Sequence, residues 1–85
     1  MYPMVVRYSR DAQKDLRKLG TEARHRVMDK IAAYAADPAS QSNNVVALAG
    51  RPGFRLRVGD WRVIFERTDD GIAVLHIGPR GSVYR

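Results

Sequence analysis

Residues 54–65 read Phe-Arg-Leu-Arg-Val-Gly-Asp-Trp-Arg-Val-Ile-Phe, and their alternation decides the fold. Phe54, Leu56 and Val58 fall on one side of an extended strand and Arg55 and Arg57 on the other, because successive strand side chains point to opposite faces. Gly59-Asp60 makes a two-residue turn, whose first-position glycine suits the type II′ geometry favoured in hairpins. This register sets Val58 against Trp61, Leu56 against Val63 and Phe54 against Phe65, so apolar meets apolar. On the second face Arg57 lies across from Arg62, with Arg55 two positions away. Like charges placed directly opposite weaken a strand pair, so stability does not explain the choice, and an anion bridging the arginines would. The alternative is neutralisation by Glu66 or by acidic residues of another chain.

A second hairpin follows. Asp69-Asp70-Gly71 predicts a three-residue loop, a type I turn closed by glycine in the left-handed region. Counting back from it pairs Phe65 with Leu75, Ile64 with His76, Val63 with Ile77 and Arg62 with Gly78. Arg80 then shares the parity of Gly78 and Arg62. Arg55, Arg57, Arg62 and Arg80 are expected to line one concave face of a twisted sheet, with Tyr84 at its rim. Gly78, lacking a side chain, is expected to leave room for close approach beside Arg62.

Upstream, Met4 to Tyr8 alternates as a short strand from Val5. Ser9 is the predicted N-cap of a helix over 10–19 with Ala12, Leu16 and Leu19 on one stripe. Gly20 is expected to close that helix in the left-handed conformation, and Thr21 to cap a second helix over 22–36. That helix carries Ala23, Val27, Ile31, Tyr34 and Ala35 on its apolar stripe and ends at Asp37-Pro38. The short link predicts an antiparallel helical hairpin. Residues 39–44, Ala-Ser-Gln-Ser-Asn-Asn, read as a loop before Val45-Val46-Ala47-Leu48.

Composition bounds the rest. The chain has 85 residues, enough for one domain over 1–85, and no cysteine, which excludes a disulfide framework or thiolate metal site. No apolar run approaches the roughly 20 residues needed to span a bilayer, and no signal peptide is legible at Met1-Tyr2-Pro3, so a cytoplasmic protein is expected. The two histidines, His25 and His76, lie far apart without adjacent carboxylates, and neither a metal nor a cofactor is expected. Net charge is +6, and twelve of the fifteen basic residues are arginine. The planar guanidinium fork suits bidentate phosphate recognition, which points to a polyanionic partner, RNA, DNA or an acidic protein.

With these elements in order, nearly the whole chain resembles the RelE/ParE superfamily of toxins from type II toxin–antitoxin systems, and RelE more closely. The resemblance rests on the helical hairpin from Asp11 to Ala36, Leu48-Ala49-Gly50, the 54–65 hairpin, Ile77-Gly78-Pro79-Arg80 and Tyr84. It implies an α+β fold like that of the microbial ribonucleases: an N-terminal strand and an antiparallel helical hairpin packed on a twisted, mainly antiparallel sheet. It also implies a ribosome-dependent mRNA endoribonuclease that cuts A-site codons by 2′-hydroxyl attack and so inhibits translation. Arg57, Arg62, Arg80 and Tyr84 take the catalytic positions, and Arg55, Arg51 and His76 are candidates for RNA or phosphate binding. The implied partners are a cognate acidic antitoxin, mRNA in the ribosomal A site, and operator DNA through the antitoxin complex, with no membrane. A ParE-like inhibitor of DNA gyrase, or an inactive member that only binds antitoxin and operator, are the alternative readings. Both first-strand positions are arginine where well-known RelE enzymes carry lysine. Arginine stays protonated, so proton transfer falls to another group, Tyr84 or His76.

Overall fold

A computed structural model describes residues 4–81 of the protein; Tyr84 lies outside the described residues. The chain runs β1 (Val5–Tyr8), α1 (Arg10–Lys18), α2 (Thr21–Ala36), a 3₁₀ segment (Pro38–Asn44), β2 (Val45–Ala47), β3 (Phe54–Val58), β4 (Trp61–Thr68) and β5 (Gly71–Pro79). Five strands form one sheet in the order β1-β5-β4-β3-β2, antiparallel except for the parallel pair β1–β5. This is the expected α+β arrangement.

The β3–β4 hairpin has the register read from its alternation: Phe54↔Phe65, Leu56↔Val63, Arg57↔Arg62 and Val58↔Trp61. Gly59 sits at φ +58°, the left-handed conformation that the turn's first position requires and that side chains disfavour. Leu56, Val58, Val63 and Phe65 are buried with Val27, Ile31 and Tyr34 of α2 and Ala12, Leu16 and Leu19 around α1. The Phe65 ring packs between Tyr34 (centroids 4.9 Å apart) and Phe54 (5.6 Å). Each fully buried aliphatic or aromatic side chain contributes about 1.5–3 kcal/mol, so this layer holds the helices on the sheet.

Four expectations need correction. Gly20 is extended (φ −65°, ψ 162°) and serves as N-cap of α2, which starts at Thr21; Leu19, also extended, closes α1 through its N–H to the Leu16 carbonyl. Residues 38–44 are not an irregular loop but 3₁₀ turns started by Pro38, whose fixed φ suits a first helical position. The β4–β5 loop is the two-residue Asp69-Asp70, since Thr68 pairs with Gly71. Phe65 therefore faces Val74, not Leu75, and a bulge between Ile64 and Phe65 restores Ile64↔His76, Val63↔Ile77 and Arg62↔Gly78. Gly71 is not left-handed; a Cβ there would overlap the backbone of Val5, so glycine is required by the closeness of β1.

β1 covers only residues 71–74 of β5, and α1 takes over the exposed edge beyond it. The Ser9 hydroxyl accepts from Ala12 N–H (2.9 Å), capping α1, and donates to the Leu75 carbonyl at the bulge (2.7 Å). The Asp15 carboxylate, buried on the same helix, accepts from Ile77 N–H at 2.9 Å. An uncovered strand edge leaves unpaired backbone groups; here the N-cap of α1 and one side chain of the helix pair two of them.

Candidate phosphate-binding face

The sheet face turned away from the helices is organised in rows. Val46, Arg55, Ile64 and His76 are directly opposite one another across β2, β3, β4 and β5. The next row holds Arg57, Arg62 and Gly78. Directly paired residues share a face, so the structure brings Arg55, Arg57, Arg62 and His76 together as expected. Arg80 follows β5, and its N–H donates to the Asp60 carbonyl (2.9 Å), which seats it beside the β3–β4 turn. Arg51 lies in the β2–β3 connection, exposed.

The Arg57 and Arg62 side chains turn apart. Arg57 Nη2 donates to Asn44 Oδ1 at 3.1 Å, toward β2. Arg62 Nη1 turns the other way and donates to the carbonyls of Gly59 (2.7 Å) and Trp61 (2.9 Å). Neither they nor Arg80 pair with a carboxylate among the described residues, and Glu66 neutralises neither. A guanidinium has five N–H donors, so both retain donors for phosphate oxygens. Gly78 is buried, so the expected open space beside Arg62 is not exposed to solvent.

Two residues of this face are not arginines and shape it. Ile64 is 1 % exposed yet stands outside the helix-side core, an apolar floor between Arg55 and His76. His76 is half-buried; its Nδ1 is buried without a hydrogen-bond partner among the described residues. Buried polar atoms are nearly always paired, and an exception calls for an explanation.

Other charged groups serve the fold. Arg67, the remaining β4 arginine, is on the helix side, with its guanidinium 4.4 Å over the Phe54 ring and Nε donating to the Tyr34 hydroxyl. Arg7 and Asp70 form a two-bonded fork at 2.9 and 3.0 Å. Hydrogen bonding to Arg7, then to Thr68, holds the Asp70 carboxyl down at about 2. Asp15 escaped the sequence reading. The available signal was a carboxylate inside the Ala12, Leu16, Leu19 stripe, a place a charge occupies only with a partner. His25 is exposed on α2 and apart from the site. No group of three His, Cys, Asp or Glu able to hold a metal occurs among the described residues, and none of their helices is long and apolar enough to cross a membrane.

Comparison with known proteins places this geometry. The RelE toxin in the archaeal RelE–RelB complex of Pyrococcus horikoshii is 25 % identical and superposes with a TM-score of 0.76, over 95 % of this chain and 99 % of that one. The E. coli RelBE complex gives 23 % identity and a TM-score of 0.71, over 89 % and 95 % of the two chains. The E. coli DinJ–YafQ complex gives 18 % and 0.66, over 98 % and 99 %. No curated protein matches the chain in sequence. A family model described as "ParE toxin of type II toxin-antitoxin system, parDE" matches residues 6–84. The match spans helices, sheet and arginine rows alike, and the chain belongs to the ParE toxin family of type II toxin–antitoxin systems, within the RelE/ParE superfamily.

Proposed function

We propose that this toxin is an endoribonuclease that enters the ribosomal A site in the cytoplasm and cuts mRNA there, stopping translation. The observation that carries the reading is the pair of adjoining rows on the face opposite the helices, where Arg57 and Arg62 stand without a carboxylate partner among the described residues. In RNA cleavage by internal attack, the 2′-oxygen bonds to phosphorus as the bond to the 5′-oxygen breaks. The products are a cyclic phosphate and a free 5′-hydroxyl. Negative charge builds on the non-bridging oxygens on the way, and preorganised donors aimed at it are usually the largest catalytic term. Arg57 and Arg62, with Arg80 beside the turn, supply those donors, and Arg55 and Arg51 hold flanking phosphates.

Two protons must also move, one off the 2′-hydroxyl and one onto the 5′-oxygen. Arginine is protonated at all relevant pH values and does neither. His76 is the one described imidazole on that face, and an imidazole can both take up and give a proton. With Nδ1 buried, Nε2 is the nitrogen left to exchange a proton with substrate. Tyr84 is the second candidate, either stacked on a base or as base for the 2′-hydroxyl.

The RelE and YafQ chains named above were solved with their antitoxins, RelB and DinJ. An antitoxin is accordingly proposed here, acidic to match a chain of net charge +6, and able to carry the complex to operator DNA. The family model is named for ParE, which favours inhibition of DNA gyrase as the second reading. Mapping mRNA 5′ ends after adding purified protein to a defined translation reaction separates them. New ends at A-site codons that need ribosomes and vanish in Arg80→Ala are expected. Intact mRNA with continuing translation would turn the reading toward gyrase, with supercoiling assayed next.

A further inference from the structure

A groove of about 410 Å³ runs beside the edge strand, lined by Val46, Ala47, Leu48, Ala49, Arg51 and Arg55. Three observations define its chemistry. Val46 is 47 % exposed, the most exposed of the large apolar side chains among the described residues. It stands directly opposite Arg55 and begins the row that continues through Ile64 to His76. The groove is therefore continuous with the phosphate-binding face.

The third observation concerns the main chain. Leu48 N–H donates to the Gly53 carbonyl at 3.0 Å, which makes that pair, and Val46–Arg55 two residues on, the hydrogen-bonded pairs of the ladder. Backbone direction alternates in an antiparallel pair. The N–H and C=O of Ala47 thus point outward along the free edge of β2, one donor and one acceptor at the groove. An apolar shelf, a neighbouring main-chain donor and acceptor, and two guanidiniums are what a single nucleotide asks for: contact for the base plane, a partner for its edge, and charge for its phosphate. The volume is of single-ligand size, too small for a duplex.

We propose that this groove is a subsite for one unpaired nucleotide of RNA, flanking the scissile phosphate. The base lies on Val46 and Leu48, and Arg51 and Arg55 hold its phosphate. The proposal rests on the RNA-directed reading above and adds to it the position where one base is held.

The test uses the full chain and a fluorescein-labelled single-stranded RNA hexamer, 2′-O-methylated throughout to block cleavage, followed by anisotropy across a salt series. Val46 and Arg51 are exposed, so Val46→Ser and Arg51→Ala leave the core intact, and thermal melts verify it. Expected for Val46→Ser is binding about three- to tenfold weaker with an unchanged salt slope, since only apolar contact is lost. Expected for Arg51→Ala is weaker binding with a log–log salt slope smaller by about 0.7, one phosphate contact to a single strand. If both variants bind like the unmodified protein while Arg57→Ala weakens, the subsite is overturned and the phosphate face stands. If they lose only antitoxin affinity, the groove is a protein interface and the proposal is likewise overturned. If the unmodified chain shows no salt-dependent binding, the RNA reading falls with it.

Discussion

Arg57→Gln should make this protein more stable and less active at once. Arg57 and Arg62 are directly opposed on neighbouring strands, and such like-charge pairs cost roughly 0.2–1 kcal/mol. Arg57 is exposed and its partner turns away toward the Gly59 and Trp61 carbonyls, so the low end applies, about 0.3 kcal/mol. Glutamine keeps an amide donor for Asn44 Oδ1, the bond that Arg57 now makes, and removes the charge. At about 4–8 °C per kcal/mol for a domain of this size, Tm should rise by about 1–2 °C at low salt. That gain should shrink in 1 M salt, where screening acts within about 3 Å. Ribosome-dependent cleavage should fall about 10²–10³-fold, the usual cost of removing one donor to a developing oxyanion. Calorimetry at two salt concentrations and 5′-end mapping read both quantities. A Tm that falls by 5 °C or more would refute the repulsion argument. Undiminished cleavage would refute the placement of Arg57 on the reacting phosphate.

Asp15→Ala removes a buried carboxylate and orphans the Ile77 N–H; a hydrogen bond to a charged group is worth about 1.5–3 kcal/mol, and urea unfolding should show at least that loss. Gly71→Ala drives a methyl group into the Val5 backbone and should cost about 1–3 kcal/mol, with amide exchange accelerated in Val5–Tyr8 more than in β3. The Asp70 pKa is depressed from 3.8 to about 2, so its stabilising contribution is complete above the ordinary carboxylate range and lost as pH falls toward 2. A carboxyl NMR titration should give that midpoint, and Asp70→Asn should flatten the pH dependence of Tm below about pH 4.

The central hairpin was legible because two independent local signals agree on it: the alternation of residues 54–65 and a glycine suited to the turn. The far end of the second hairpin was not. Val74 and Ile77 are both in the core although an odd number of positions separates them, which demands a bulge. Val74 and Leu75 are equally apolar, so composition does not say which of them turns inward. The choice is tied to a distant residue, Ser9, whose hydroxyl holds the Leu75 carbonyl. Gly20 misled for a related reason: glycine suits both the end of one helix and the start of the next, and a link this short lets one residue belong to either. On the candidate face, parity alone placed Arg55, Arg57, Arg62 and His76. The directions taken by the Arg57 and Arg62 side chains, toward Asn44 and toward the turn, depend on partners 13 and 3 residues away and were invisible to it.

The pairing of β1 with β5 joins residues 5–8 to residues 71–74, and it has a consequence for synthesis. β1 leaves the ribosome well before β5, and everything between them must be made before the two can pair. Contacts so distant in sequence form late and slowly. A nascent chain halted before Gly71 has β1 without a neighbour and lacks the strand that carries His76, so an unfinished copy can neither close its sheet nor complete the arginine face. Closure of the sheet and completion of the arginine face are thus one event, set by the arrival of β5.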